Sequence, residues 1–209
     1  MSIRETADSA IERAARMGDE DAQRHIRYQR IREADEYLAH RTGAYHLRCE
    51  RYDATLQALH VHELRHGHTV VDVGSGWGEF GVRLHTGSEF FKGTRARYIP
   101  VDACVDGVDL DTWVPPRRAE FFVCLEVLEH LDHPERLLRE MMAAADRAVV
   151  VSTPNPETTD VMGMDRTHRT PITRALLEGL DFNVSERQFY GKPADSLFGV
   201  WAREMERQR

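Results

Sequence analysis

Between Val70 and Phe80 the chain reads Val-Val-Asp-Val-Gly-Ser-Gly-Trp-Gly-Glu-Phe, a β-branched run that ends in an acid and then sets glycine at 74, 76 and 78. Glycine accepts backbone conformations closed to other residues and lets a ligand come close to the main chain, so the stretch reads as a buried strand turning into a ligand-holding loop. In a doubly wound sheet such a loop lies over the carboxyl ends of the strands and binds a nucleotide-like molecule. The dinucleotide fingerprint Gly-x-Gly-x-x-Gly is incomplete, because its third glycine is replaced by Glu79, whose carboxylate repels a pyrophosphate. The spacing present is Asp72-x-Gly74-x-Gly76-x-Gly78.

Strands and helices must alternate to hold this loop. Thr69–Val73 reads as the first strand, followed by a short helix through Val82 and Leu84. Arg97–Val101, closed by Asp102, reads as the second strand and Phe121–Leu125 as a further one. The helix after it enters through Asp132-His133-Pro134, proline suiting a first turn, and shows Leu137, Leu138, Met141 and Met142 on one face. Ala148–Ser152 is another strand, Thr173–Leu180 a short helix, and Phe182–Ser185 with Ser196–Trp201 an antiparallel closing pair. The fold class is therefore α/β: a doubly wound, Rossmann-like, mostly parallel sheet with an antiparallel closing strand pair. Ahead of it, apolar residues at helical spacing from Ser2 to Ala39 predict an N-terminal helical extension over 1–44, made locally basic by Arg24, Arg27, Arg30 and Arg32. Residues 45–209 form the main domain, opening with a helix over Tyr45–Leu59.

With 209 residues, 41% of them hydrophobic, one α/β domain plus an extension is the expected organisation. The formal net charge of -7 disfavours nucleic-acid backbones as a partner without excluding a local basic patch. No apolar run approaches the ~20 residues of a membrane span, no leader is evident, and Cys49, Cys104 and Cys124 lack metal-type spacing. These features predict a cytoplasmic protein with reduced thiols and no membrane partner, and they allow a homodimer. Four histidines, His60, His62, His66 and His68, stand in a loop where imidazoles have the chemistry to ligate a metal, although a surface loop ahead of a buried strand is the expected role.

Taken in order, Asp72-x-Gly74-x-Gly76-x-Gly78, Asp102 at the end of Tyr98-Ile99-Pro100-Val101, Cys124-Leu125-Glu126-Val127-Leu128-Glu129-His130-Leu131 and Val149-Val150-Val151-Ser152-Thr153-Pro154-Asn155 resemble the class I S-adenosylmethionine-dependent methyltransferases. The resemblance covers about Tyr52 to Trp201. It implies S-adenosyl-L-methionine as cofactor, bound by Asp72, Gly74, Ser75, Gly76, Gly78, Asp102, Leu125 and Glu126, with Asp102 accepting the ribose hydroxyls. A zwitterion with a sulfonium is better matched by acids and backbone dipoles than by an anion hole. The chain departs from the family between Asp102 and Phe121, where a helix and strand are compressed. Val108-Asp109-Leu110 is expected as an abbreviated strand, with Asp109 at the adenine amine and Trp113 shielding the ring, although Asp106 or Asp111 would serve as well.

Methyl transfer needs alignment, and a base when the acceptor begins as a hydroxyl. The candidates at the ends of the later strands are Glu126, Glu129, His130 and His168. The expected reaction is transfer to oxygen or nitrogen of a small-molecule acceptor, with no metal. One alternative is a metal-assisted RNA 2′-O-methyltransferase, since the same four residues match the Glu-x-x-Glu-His plus distant His pattern of the small-RNA 3′-end enzymes. The other is a non-catalytic S-adenosylmethionine-binding scaffold whose basic N-terminal helix engages a partner. The loop from Glu157 to Pro171 is read as a lid over the acceptor or a plain connection.

Overall fold

A computed structural model describes residues 45–76, 78–87, 92–103 and 106–204. The N-terminal extension over 1–44 and Cys104 lie outside the described residues. Six strands form one sheet: β1 (Thr69–Val73), β2 (Arg97–Val101), β3 (Ala119–Leu125), β4 (Ala145–Pro154), β5 (Asn183–Arg187) and β6 (Ser196–Ala202), in the order β2-β1-β3-β4-β6-β5. The first four run parallel, and β6 pairs antiparallel with both β4 and β5, which is the expected doubly wound sheet with its closing pair. No described helix is long and apolar enough to cross a membrane.

Both faces of this sheet are covered, which is why its central strands read as unbroken apolar runs rather than as alternation. Val70, Phe121, Val123, Ala148 and Val150 face α1 (Tyr45–Val61) and α2 (Glu79–Thr86), meeting Tyr52, Leu56, Leu59, Phe80 and Leu84. Their strand neighbours Val71, Val73, Phe122, Cys124, Val149 and Val151 face α3 (Pro134–Ala144), meeting Leu137, Leu138 and Met141. A one-turn helix α4 (Val161–Met164) and a short α5 (Arg174–Glu178), capped by the Thr173 hydroxyl accepting the Leu176 N–H at 3.1 Å, complete the chain.

The expected strand at Val108-Asp109-Leu110 does not form. Asp109 makes a turn instead, its Oδ1 accepting the Asp111 N–H at 3.0 Å and its backbone oxygen the N–H groups of Thr112 and Trp113 at 3.2 and 2.8 Å. An aspartate that bonds its own backbone two residues on competes directly with strand pairing. The turn is then fixed to α3: buried Asp111 accepts the His133 N–H at 2.7 Å, and Arg136 donates to the backbone oxygens of Asp111 and Trp113 at 2.6 and 2.7 Å.

The exit of β1 depends on Gly74, whose φ is 77° and where an added Cβ would run into the Val127 side chain after β3. Gly74→Ala is expected to lower stability by about 1–2 kcal/mol for the left-handed backbone alone, with the collision added. Urea unfolding of Gly74→Ala, Val127→Ala and the pair should show a positive coupling, the double variant losing less than the two single losses combined. Strict additivity would mean that Val127 does not close on this loop.

Candidate active site

The loop after β1 is held by its own backbone and by an acid from β2. Gly74 and Ser75 donate their N–H groups to the Val101 oxygen at 2.7 and 3.2 Å, Gly78 N–H donates to the Ser75 oxygen at 2.9 Å, and Gly76 N–H donates to Asp102 Oδ2 at 2.8 Å. Gly74, Gly76 and Gly78 all have positive φ, at 77°, 56° and 75°. Asp72 and Asp102 are both buried, at 3% and 4% exposure. Burial pushes the Asp72 carboxyl up to about 7; the Tyr98 hydroxyl, donating to it at 2.6 Å, acts the other way, and the charge on Asp102 adds to the rise. Two crowded carboxylates beside a cradle of glycines fit a ligand that brings a positive charge and hydroxyl donors, and S-adenosylmethionine carries an ammonium, a sulfonium and a ribose diol.

One helix closes over this loop. Arg48 and Tyr52 of α1 bind Glu79, the first residue of α2, with Nε to Oε2 at 2.8 Å and the phenol to Oε2 at 3.0 Å. Glu79 thus joins α1 to the glycine loop, a structural task that its place in a broken fingerprint did not reveal. Arg51, on the same side of α1 by the three- and four-residue spacing of a helix, reaches Glu126 at 3.4 Å.

Glu126 leaves β3 with a φ of 58°, a left-handed conformation that a side chain other than glycine adopts at a cost of about 1–2 kcal/mol. It is kept there by its surroundings: its N–H bonds the Ser152 oxygen at 3.0 Å, Ser152 Oγ donates to Oε1 at 2.7 Å, and the Tyr190 hydroxyl donates to Oε2. Tyr190 is presented by a loop tied around buried Asp195, whose carboxylate accepts the N–H groups of Phe189, Tyr190 and Lys192 at 2.7, 2.9 and 2.8 Å. Leu125, at the end of β3, pairs in register with Ser152.

Glu129, His130 and His168 come together separately from Glu126, each offering a ligand atom within 4.8 Å of the others. The Thr167–Thr170 segment is fastened alongside the turn at Leu128–His130: Arg169 and Thr170 donate their N–H groups to the Glu129 oxygen at 2.7 and 3.2 Å, and Thr170 Oγ1 donates to the Leu131 oxygen at 2.7 Å. Burial, and next the charge on Glu126, push the Glu129 carboxyl well above the usual range, while the Thr153 hydroxyl, donating to Oε2 at 3.2 Å, acts the other way. The histidine tautomers follow from their partners. His168 Nδ1 lies 2.5 Å from the Val161 carbonyl, which only accepts, so Nδ1 carries the hydrogen. Thr167 Oγ1 donates to the Asp165 carboxylate at 2.7 Å and therefore accepts from His130 Nδ1–H at 2.8 Å. With the hydrogen on Nδ1, the lone pair of each ring lies on Nε2, a nitrogen whose chemistry suits a proton or a metal ion.

The sequence-predicted residues thus fall into two neighbouring groups. Asp72, Gly74, Ser75, Gly76, Gly78 and Asp102 make the loop region, while Glu129, His130 and His168 converge beyond it, with Leu125 and Glu126 at the strand end between them. Asp109 is engaged in its turn, through Thr112 Oγ1 as well as Asp111 N–H. Of the four histidines expected in a loop, His60 instead lies in the last turn of α1 at the Leu56 oxygen, while His66 meets Arg95 N–H and His68 meets Arg65 N–H, and among the described residues no three of the four gather. Sequence reasoning missed Arg48, Arg51, Tyr98, Asp165, Tyr190 and Asp195. Only Arg48 left a legible trace, as a polar residue one helical turn from Tyr52.

A family model described as a methyltransferase domain matches residues 23–202. No curated protein matches the chain in sequence. Among solved structures, magnesium protoporphyrin IX methyltransferase (ChlM) from Synechocystis PCC 6803 with bound SAH is 15% identical, with 85% of this chain and 93% of that one covered and a TM-score of 0.53. The DhpI-SAM-HEP complex is 15% identical over 87% and 96%, with a TM-score of 0.55. The small RNA methyltransferase HEN1 is 17% identical over 75% of this chain and 25% of that one, with a TM-score of 0.54. At such identities the likeness is one of fold.

The Asp72 carboxyl has a measurable consequence in the ligand-free protein. It holds its proton up to about pH 7 in the fold and releases it near 3.8 ordinarily, so between those values the native state binds more protons than the unfolded chain. Stability contributed by this group therefore falls as pH rises through that window, by about 1.4 kcal/mol per pH unit. Urea unfolding across the window should show wild type losing ground to Asp72→Asn as pH rises. Parallel curves would place an ionised Asp72 in the native state.

Proposed function

The chain belongs to the methyltransferase-domain family, and on that premise we propose that it transfers a methyl group from S-adenosylmethionine to oxygen or nitrogen of a small-molecule acceptor. The observation that carries the reading is the adjacency of the two groups described above: a glycine cradle with paired acids for the methyl donor, and beside it two histidines with oriented lone pairs. S-adenosylmethionine supplies the methyl group when bound. Asp102 holds the ribose hydroxyls, Asp72 faces the amino end, and Gly74, Ser75, Gly76 and Gly78 with Leu125 and Glu126 line the approach. His130, oriented through Thr167 by Asp165, takes the acceptor's proton at Nε2. In this reading 45–209 is the methyltransferase domain and 1–44 an extension of it, the family match beginning at residue 23.

A small acceptor is favoured by the charge of the chain and by Glu126 at the strand end, an acid that does not welcome a phosphate backbone. The second reading, metal-assisted transfer to an RNA 2′-hydroxyl, rests on the convergence of Glu129, His130 and His168, which would hold a divalent cation that makes a hydroxyl more acidic. Glu126, the fourth member of the pattern that suggested it, is turned instead to Arg51, Ser152 and Tyr190.

S-adenosylhomocysteine should bind the full chain in isothermal titration, and Asp102→Ala should weaken it by about 1.5–3 kcal/mol through loss of charge-assisted hydrogen bonds. Absence of binding by wild type would overturn the methyl-donor reading, and absence of labelled methyl transfer to any acceptor despite binding would favour the scaffold. For the reaction itself, EDTA should leave turnover unchanged while His130→Gln lowers kcat by roughly 10²–10⁴-fold with a hydroxyl acceptor. Loss of turnover in EDTA, restored by Mn²⁺ in wild type and not in Glu129→Gln, would establish the metal-assisted route instead.

A further inference from the structure

Tyr98 stands on β2 in register with Val70 of β1. Asp72, two residues along β1 from Val70, projects to the same face of the sheet, so the phenol and the carboxyl meet diagonally across the strand pair. The hydroxyl donates to Asp72 Oδ2 at 2.6 Å, a length typical of a bond to a charged acceptor. Burial, and next the charge on Asp72, hold the phenol above its ordinary range, so it keeps its hydrogen and acts as the donor toward that carboxyl. The ring is held independently of this bond. Gly81 of α2 leaves it a slot, since a Cβ there would stand 2.5 Å from Tyr98 Cε1 and 2.6 Å from Cζ. The His85 ring meets it edge-on with centroids 6.4 Å apart, and a Cβ on Gly78 would lie 3.7 Å from the hydroxyl, which puts the tip of the phenol against the glycine loop.

A phenol fixed in this way does for the carboxylate what its own backbone cannot. The last torsion of an aspartate is broad, so the plane of the group, and with it the direction of each oxygen, is set from outside. A hydroxyl held in a slot settles that plane by occupying Oδ2. We propose that Tyr98 is a positioning residue of the methyl-donor site, holding Asp72 Oδ2 so that Oδ1 is presented to the ammonium of the bound cofactor. This rests on the reading in which Asp72 faces the cofactor's amino end. Tyr98 itself touches no part of the cofactor and acts through the carboxylate. A phenol that served only to pack α2 against β2 would influence every ligand of the loop alike, whereas a phenol that aims Asp72 influences only ligands carrying the ammonium.

The test is a binding cycle on the full chain, by isothermal titration, with S-adenosylhomocysteine and its deaminated analogue S-adenosyl-4-thiobutyrate, which keeps the adenosine, the sulfur and the carboxylate and lacks the ammonium. Tyr98→Phe keeps the ring in its slot and removes the hydroxyl. It should weaken S-adenosylhomocysteine roughly five- to twentyfold and leave the affinity for the deaminated analogue unchanged. In an Asp72→Asn background the same substitution should bring no further loss of S-adenosylhomocysteine affinity, because the charge through which Tyr98 acts is gone. Equal weakening of both ligands would reduce Tyr98 to packing, persistence of the full effect beside Asp72→Asn would place its action on another group, and indifference of both ligands would show that Asp72 is aimed without it. Each of these overturns the proposal. Equal binding of the two ligands by wild type would mean that Asp72 does not meet the ammonium, and the inference falls while the methyl-donor reading stands. Failure of wild type to bind S-adenosylhomocysteine removes both.

Discussion

Acidic side chains crowd the carboxyl end of this sheet, and the local structure is arranged around that repulsion. Asp72 and Asp102 flank the loop after β1, and Glu126 and Glu129 follow β3 within one turn of each other. Like charges at such a site cannot all ionise cheaply, so some hold protons and others gather donors. Asp72 and Glu129 are both pushed above the ordinary carboxylate range; Asp102 gathers the Gly76 N–H, and Glu126 the hydroxyls of Ser152 and Tyr190. A ligand carrying positive charge is the natural complement to this arrangement. The electrostatics that burden the empty protein therefore favour binding of a sulfonium amino acid.

The same constraint explains why α1 matters. Nothing in a βαβ sheet requires a helix ahead of the first strand, yet α1 supplies Arg48, Arg51 and Tyr52 to carboxylates on two other elements. Glu79 takes two of these contacts, and a second bridge from Arg83 to Asp53, with paired bonds of 2.8 Å, holds α2 to the same helix. Apolar burial of Leu56 and Leu59 against β1 and β3 provides the bulk of the adhesion, while these partly buried ion pairs set the helix's register over the loop. Loop, helix and strand exit are one unit.

How much of this was legible in the sequence depends on whether the information is local. The strands were readable because β1, β3 and β4 are buried on both faces, and the glycines because a turn with positive φ admits few other residues. Asp109 misled because an aspartate between apolar residues fits a strand by pattern and a turn by hydrogen bonding, and the hydrogen bonding won. Tyr190 and Asp195 carried no signal at all: what brings them to Glu126 is the pairing of β6 with β4, a long-range event with no local spacing to betray it.

The separation of Glu126 from Glu129 is the point at which structure adds most to pattern. By spacing alone, Glu126, Glu129, His130 and His168 form one constellation, and two carboxylates with two imidazoles read as a metal set. In the fold Glu126 is held away by its left-handed backbone and by three partners, and as an acceptor already bonded at both oxygens it is a poor base as well as a poor ligand. His130 and His168 differ in kind. Each has Nδ1 committed to a fixed acceptor, which orients the ring and sets its tautomer. Such a commitment is useful for either proton abstraction or metal ligation, and Glu129 decides between them. A carboxyl that burial has raised gives up its proton less readily, so ligating a cation costs it more than it costs an ordinary carboxylate. That cost weighs toward the proton-transfer role proposed for His130.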